Sequence, residues 1–351
     1  MAPSNLLFNL ILVFCGLLLS GPISAASPAR QKSAVPTAEA IFVSVLHSEA
    51  YAYKGKQVTT SWRNGTASEV EVFHQPTERR RLQYLDPVAR RGRLLVSDGH
   101  QEWQYDPHSH TLRHRRLSPG SLDDDDYLSY TLLRANYVLS VSLHPVTWAD
   151  RKAHLVSIKR PGTLTLARRL WVDAGSGLIL KREHYGEDGR LAITVAFTEI
   201  AYHPKLSPAL FNLASLGHKK GVKVVELPSP WEAPVALASV SGQFQGKGRS
   251  WPQLAGYRLV GATKTVVGGR PLLHLRYSDG LNLVSLFEQQ RTQTRRPTAV
   301  SGRLIRLGTT PAHLMQHGAL TTLNWDTQAL NITLMGEGSL ARLRKLAMAA
   351  R

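Results

Sequence analysis

The segment DPHSHTLRHRR contains three closely spaced histidines: His108, His110 and His114. In a strand, alternate positions project to one face, and imidazoles grouped in this way can bind a transition metal. Arginines are interspersed with these histidines at positions 113, 115 and 116, and their charge would repel a cation. We therefore expect no metal and no other cofactor at this segment.

Four consecutive aspartates, Asp123–Asp126, precede a run in which Leu128, Thr131, Leu132 and Ala135 share a helical face. Carboxylates at this place can bind a divalent cation, or they can stabilise the positive end of a helix dipole. The aspartates lack the alternating ligand spacing of a calcium loop. The pattern therefore favours helix capping over a cation site.

Known catalytic motifs are absent from the sequence: it has no nucleophile elbow, no phosphate-binding loop and no zinc-protease helix. The 14 histidines leave a Ser-His-Asp arrangement open, but no local pattern selects one of them. We expect a protein that is not an enzyme and has no catalytic residues. A hydrolase acting on the cell envelope is an alternative without a recognisable site.

An apolar run, LLFNLILVFCGLLLS, occupies residues 6–20 and is followed by the small residues GPISAAS. The run is shorter than the roughly 18 residues of a spanning helix, which favours a signal peptide over residues 1–25, cleaved near Ala25. The first five residues carry no Lys or Arg, so a retained anchor is the alternative. The single cysteine, Cys15, lies in this segment, and the exported chain then has no disulfide.

The charge of the chain is strongly positive and unevenly distributed. The formal net charge is +18, and residues 216–351 hold 18 Lys and Arg against 6 Asp and Glu. Such a field attracts anionic partners, which outside the cytoplasm are lipid headgroups, lipopolysaccharide, cell-wall polymers or acidic protein segments. We expect no nucleic-acid partner, because export separates the chain from it. The alternative is that the charge only aids solubility.

Short runs rich in Val, Thr, Tyr and Trp predict about nine antiparallel strands from Tyr51 to Ile200. Asn64-Gly65 predicts a type I′ hairpin turn, and alternation in residues 191–199 places Val195 and Phe197 on one face. A helix is predicted after Thr37 as N-cap. Five further strands and a final helix with Ser339 as N-cap are predicted in the second part of the chain.

Tryptophans occur in the middle of several predicted strands. A curved sheet with an aromatic and aliphatic concave face would enclose a cavity for an acyl chain, whereas the same alternation also suits an ordinary filled core. The hypothesis of a ligand cavity names five lining residues: Trp62, Trp103, Trp171, Leu180 and Phe197.

Two sets of strings carry a resemblance to known families. SDGHQEWQYDP at residues 97–107 and the meander at 170–200 resemble the periplasmic lipoprotein carriers of the LolA type. The strings at 254–288 and 329–347, above all YSDGLNLVSLF from Tyr277 to Phe287, resemble the MucB/RseB family of periplasmic sigma-E regulators. Together they cover most of the chain after the predicted signal.

The resemblance implies an α+β fold with two domains. A half-open antiparallel β-barrel with helices on its concave side would occupy residues 36–215 and sense lipid. Residues 216–242 would form a linker, and residues 243–351 a smaller α+β domain that binds the partner. The expected partner contacts are Arg276, Tyr277, Ser278 and Asp279.

The resemblance also implies a function. The protein would bind the periplasmic part of a membrane anti-sigma factor and shield it from proteolysis, until lipid, lipoprotein, lipopolysaccharide or another envelope-stress ligand releases it. A periplasmic lipid or lipoprotein carrier is the alternative, on the first domain alone. The sequence predicts no oligomeric state.

Overall fold

The computed structural model describes residues 35–76, 79–117, 130–227, 235, 239, 244, 251–291, 302–317 and 320–350. The predicted signal peptide and Asp123–Asp126 lie outside these residues. None of the helices in the described ranges has the length and apolar character needed to cross a membrane.

Thirteen described strands form the first sheet, which is open because its hydrogen-bonded order ends at two different strands. The order is β13-β6-β5-β4-β3-β2-β1-β12-β11-β10-β9-β7, with β8 also paired to β9. Neighbours are antiparallel except β13, which runs parallel to β6. The strands are β1 Tyr53–Ser61, β2 Thr66–Gln75, β3 Arg79–Asp86, β4 Leu94–Asp98, β5 Gln101–Asp106, β6 Thr111–Arg116, β7 Val138–Val141, β8 Val146–Trp148, β9 Arg151–Lys159, β10 Leu166–Asp173, β11 Ile179–Tyr185, β12 Leu191–Tyr202 and β13 Lys223–Glu226.

Two helices, α1 (Ala38–Leu46) and α2 (Tyr130–Asn136), pack on one face of this sheet. The predicted N-cap of α1 is confirmed, since the Thr37 hydroxyl accepts a hydrogen bond from Ala40 N at 3.2 Å. Buried side chains of both helices pack on β9 and β10 in one cluster, which includes Ile41, Phe42, Leu133, Val156, Ile158, Leu170 and Val172. The predicted open antiparallel barrel with helices on its inner side is thereby confirmed.

The second sheet has seven antiparallel strands in the order β14-β15-β16-β20-β19-β18-β17. A helix, α3 (Leu340–Ala349), packs on it through Leu343 and Leu346, and the predicted N-cap is confirmed because Ser339 Oγ accepts from Arg342 N at 3.2 Å. The strands are β14 Arg258–Val267, β15 Arg270–Ser278, β16 Leu283–Gln290, β17 Arg303–Leu307, β18 Thr310–His317, β19 Leu320–Asp326 and β20 Leu330–Glu337.

The structure differs from the sequence prediction at one turn and at several short strands. The β1–β2 hairpin forms, but its loop spans residues 62–65 and only Gly65 takes a positive φ, of 65°, so the turn is not type I′. The Asn64 side chain instead accepts from Thr66 N at 3.3 Å. The strands missing from the prediction are β6, β7, β8, β17 and β18. The short strand β13 lies within the predicted linker, a segment that leaves room for one short strand.

Candidate functional site

A cavity of about 320 Å³ lies between α1 and the inner face of the first sheet. Phe42, Val45 and Leu46 form its helical side. The sheet contributes Tyr53, Val72, Leu82, Val195 and Phe197 from four strands. Its size is at the lower end of the range for small-ligand sites, and its lining is largely apolar, so it suits a single apolar chain or ring.

Charged side chains also belong to the lining of this cavity. Glu49, Arg80 and Arg182 belong to its lining, and the Arg80 guanidinium lies 3.6 Å from the Glu49 carboxylate. Beside them, His74 is fully buried and stacks on Tyr53 with 4.9 Å between ring centroids. The site can therefore hold an apolar body within the cavity and an anionic group at the arginines.

His74 links this part of the cavity lining to the segment that follows α1. Its Nδ1 lies 2.9 Å from the Tyr51 carbonyl oxygen, and its Nε2 lies 2.8 Å from a Glu49 carboxylate oxygen, though off the line of a good hydrogen bond. Both neighbours are hydrogen-bond acceptors, and an imidazole nitrogen that carries a hydrogen can donate to either of them. The His74 side chain lowers the pKa of Glu49 against the opposing effect of burial.

The five side chains named for the cavity lie in different places. Phe197 lines it, and Val195 lies beside it as the alternation in β12 predicts. Trp103 is buried in a separate cluster with Val96 and Phe211. The other three also lie outside the cavity lining: Trp62, Trp171 and Leu180.

Each of those three has its own environment. Trp62 is 57% exposed at the end of β1, and its Nε1 donates to Thr194 Oγ1 at 2.9 Å. Lys181 Nζ lies 4.2 Å from the centroid of Trp171 and 4.4 Å from that of Trp148, a pair of cation–π contacts. Leu180 is fully buried. Sequence alternation could not separate such positions from cavity positions, because both faces of the sheet carry large side chains.

The predicted partner contacts lie inside the protein, and the last of them, Asp279, lies at a junction between the two sheets. The four residues Arg276, Tyr277, Ser278 and Asp279 are at most 8% exposed. The Tyr277 hydroxyl donates to the Pro252 carbonyl at 3.0 Å. A partner can reach these residues only if the structure around them opens, and their role as partner contacts stays a prediction.

At the junction, the Asp279 carboxylate accepts hydrogen bonds from both sides. Its Oδ2 accepts from the Tyr137 hydroxyl, which follows α2, at 2.7 Å, and from Arg342 Nη2 of α3 at 2.6 Å. Its Oδ1 accepts from the backbone N–H groups of Leu281 and Asn282 at 2.9 and 2.6 Å. Arg168 of β10 adds a bond to Asn282 Oδ1 at 3.2 Å. The carboxylate thus joins the residue after α2 to α3 and to its own loop.

The electrostatics of the junction favour the fully bonded, charged arrangement. Burial and the Asp279 charge raise the pKa of the Tyr137 and Tyr257 hydroxyls, which therefore stay protonated as donors. Burial alone would lower the pKa of Arg342, but Tyr257, Asp279 and Tyr137 together raise it. Two cavities of about 270 and 480 Å³ adjoin the junction and share Arg342 in their linings.

The loop that carries Asp279 also fits sterically against α2. Gly280 has φ of 90°, and a Cβ at this position would lie 2.3 Å from Leu133 N. The next residue, Leu281, is buried in the cluster that contains Phe42 and Leu133. The second sheet therefore enters the core of the first one at this loop.

Within the described residues, no group of three or more His, Cys, Asp and Glu side chains is placed to hold a metal ion. His184 lies in the smaller junction cavity, and burial together with the Arg168 and Arg182 charges lowers its pKa to about 2. It is therefore neutral at physiological pH.

Comparison with known proteins identifies the first domain. Residues 47–214 match the family model of the MucB/RseB N-terminal domain. No curated protein matches the chain by sequence.

Three solved structures share the fold over most of the chain. The structure of MucB in complex with MucA(peri) is 19% identical, covers 90% of this chain and 98% of its own, and gives a TM-score of 0.56. The Pseudomonas aeruginosa MucA/MucB complex is 18% identical over 88% of this chain and 96% of its own, with a TM-score of 0.55. A structure of MucB is 18% identical, covers 89% of this chain and 96% of its own, and has a TM-score of 0.52.

The Glu49 contact predicts a pH-dependent contribution to stability. Replacing Glu49 by Gln should lower the free energy of unfolding near pH 6 by at most about 1 kcal/mol, because the carboxylate is half exposed and water screens the pair. A carboxylate whose folded pKa is lowered stabilises above its unfolded pKa of about 4.3, and this is lost as pH falls through the folded pKa. Urea unfolding of wild type and variant should therefore converge in acid. Glu226→Gln in β13 is the control for net charge, and an E49Q deficit unchanged in acid would contradict the account.

The close fit of Gly280 predicts a large cost for one methyl group. Gly280→Ala should lower the free energy of unfolding by about 1–3 kcal/mol more than Gly269→Ala, because it overpacks the junction. Gly269 is the matched control, with φ of 75° and no atom near an added Cβ. Urea unfolding measures the stability of both variants. Equal decreases in the free energy of unfolding would show that the junction accommodates the added methyl group without strain.

Proposed function

We propose that this chain, which belongs to the MucB/RseB family, is a non-enzymatic periplasmic regulator that binds the extracytoplasmic part of a membrane anti-sigma factor. Bound in this way, it would shield that factor from proteolysis, and a lipid or envelope-stress ligand would release it. The observation that carries the proposal is the family match over residues 47–214. The shared fold with MucB over 90% of the chain supports it, since that MucB was solved with MucA(peri).

The charge distribution supports a partner with acidic segments. Residues 216–351 hold only six acidic residues, and two of them, Asp279 and Glu288, are buried. Arg276 is buried too and Arg342 pairs with Asp279, so the surface of this part keeps the strongly positive charge of the sequence count. A positive surface speeds association with an acidic chain and makes it sensitive to salt.

The cavity and the junction are connected by one packed cluster, which gives the ligand a route to affect partner binding. Phe42 lines the cavity and packs in the same cluster as Leu281, the loop residue from the second sheet. A ligand that displaces Phe42 would change the packing around Leu281. Such a ligand releases the partner only if it binds the partner-free arrangement more tightly, by the reciprocity of coupled binding.

A direct binding measurement tests the proposed function. The purified protein is titrated by calorimetry with the extracytoplasmic segments of the membrane anti-sigma factors of the same genome. Saturable binding of one segment, with slower cleavage of that segment by a periplasmic protease, is expected. Absence of saturable binding to every segment would refute the proposal.

A carrier of lipid or lipoprotein is the second candidate function, and the apolar cavity of about 320 Å³ favours it. Native mass spectrometry of the protein after incubation with palmitate distinguishes the two functions when it is combined with the titration. A carrier binds the acyl chain and no anti-sigma segment. A regulator binds the segment, and the acyl chain weakens that binding.

The connecting cluster predicts that Phe42 carries the coupling. Phe42→Ala should reduce the effect of palmitate on the dissociation constant of the bound segment, because the link between cavity and Leu281 is truncated. Val43→Ala is the control, since Val43 lies on the same helix and is 47% exposed. Calorimetric titrations with and without palmitate measure the effect. The coupling route is wrong if both variants keep the wild-type response.

A further inference from the structure

Strand β17 is an edge of the second sheet, and in the described residues it pairs only with β18. The opposite edge strand, β14, is met by the linker, where Val235 N donates to the Ala262 carbonyl at 3.0 Å. An edge strand presents backbone donors and acceptors that another extended chain can pair with. The two edges of this sheet therefore differ in what lies against them.

The register identifies the backbone groups of β17 that face outward. The β17–β18 turn has two residues, with φ of 59° at Gly308, so Leu307 and Thr310 form a hydrogen-bonded pair. Pairs then alternate along an antiparallel ladder, and the N–H and C=O groups of Leu304 and Arg306 point away from β18. Arg344 Nη2 of α3 donates to the Arg306 carbonyl at 2.6 Å, which agrees with this assignment.

The side chains at this edge combine an apolar contact with positive charge. Ile305 and Leu307 belong to the core side, whereas Leu304 is 65% exposed. Arg303 and Arg306 flank Leu304 and are exposed, and the partly solvated Arg344 lies beside them. None of the ion pairs between described residues involves these three arginines.

We propose that the β17 edge, formed by Arg303, Leu304, Arg306 and Arg344, binds an acidic extended segment of the partner as an added strand. The segment pairs with the outward N–H and C=O groups of Leu304 and with the N–H of Arg306, because the Arg306 carbonyl already accepts from Arg344. Its apolar side chain contacts Leu304, and its carboxylates face the arginines. The positive charge favours an acidic segment over other strands, because the three guanidinium groups add no affinity for a basic or neutral strand. This inference rests on the proposed function, since it assigns the surface that the anti-sigma segment occupies.

Two variants at one position test the backbone pairing. Leu304→Pro removes the outward N–H without touching the bonds to β18, whereas Leu304→Ala keeps the N–H and shortens the same side chain. Calorimetry with the anti-sigma segment should give a dissociation constant about tenfold weaker for L304P than for L304A, as expected when one backbone bond and its neighbours are lost. Circular dichroism checks that both variants keep the wild-type sheet content.

Hydrogen exchange on the wild-type protein gives a readout that does not depend on variants. The amides of Leu304 and Arg306 should exchange more slowly with the segment bound, and those of Val266 and Val267 in β14 should not change. Arg306→Glu should weaken binding more at low salt than at high salt. Equal affinities of L304P and L304A, together with unprotected β17 amides, would overturn the inference and leave the proposed function standing.

A synthetic peptide of alternating Glu and Val residues separates the two proposals. If it protects the β17 amides while no anti-sigma segment binds, the docking surface is supported and the proposed function fails. If the wild-type protein binds neither the peptide nor any segment, both proposals fail.

Discussion

The buried carboxylate of Asp279 is the interaction on which the arrangement of the two sheets depends. A charge with a side chain only 3% exposed is costly unless donors surround it. Here the donors come from Tyr137 after α2, from α3 and from its own loop. Removing one side of the junction would leave the charge without its partners. The carboxylate therefore specifies one relative placement of the sheets, while Gly280 and Leu281 supply the steric fit.

This constraint is the structural basis of the coupling that we propose between the cavity and the second sheet. The cluster beneath the junction contains Phe42 from the cavity side and Leu281 from the second sheet. Packed interiors resist small changes of volume, so a displacement of Phe42 is transmitted rather than absorbed. The Glu49–His74 contact holds the other end of the same helical segment to β2. Ligand entry must work against both attachments.

Much of the fold could be predicted from the sequence. Apolar and polar residues alternate along most strands, and each of the three helices is indicated by an N-cap or by an apolar face. The strands that escaped prediction have physical reasons: β6 reads TLRHRR, β7 and β8 are short, and β17 exposes Leu304. The site was less predictable. The Tyr277–Asp279 string stood out by its resemblance, but nothing local indicates that Tyr137 and Arg342, far away in sequence, surround Asp279.

The positions of the acidic residues connect the junction to the surface chemistry of the second sheet. Asp279 is paired with Arg342, and Glu288 is buried. Neither carboxylate therefore neutralises the charge of the exposed arginines around β17. The distribution of charge in the second sheet therefore matters both in the interior and at the surface. Asp279 holds the sheets together in the interior, and the exposed arginines at the β17 edge stay available for the acidic segment that we propose. If an acidic partner binds these exposed arginines, the salt dependence of its affinity must come from the arginines at the β17 edge rather than from those at the junction. Buried pairs are screened by salt much less than exposed ones.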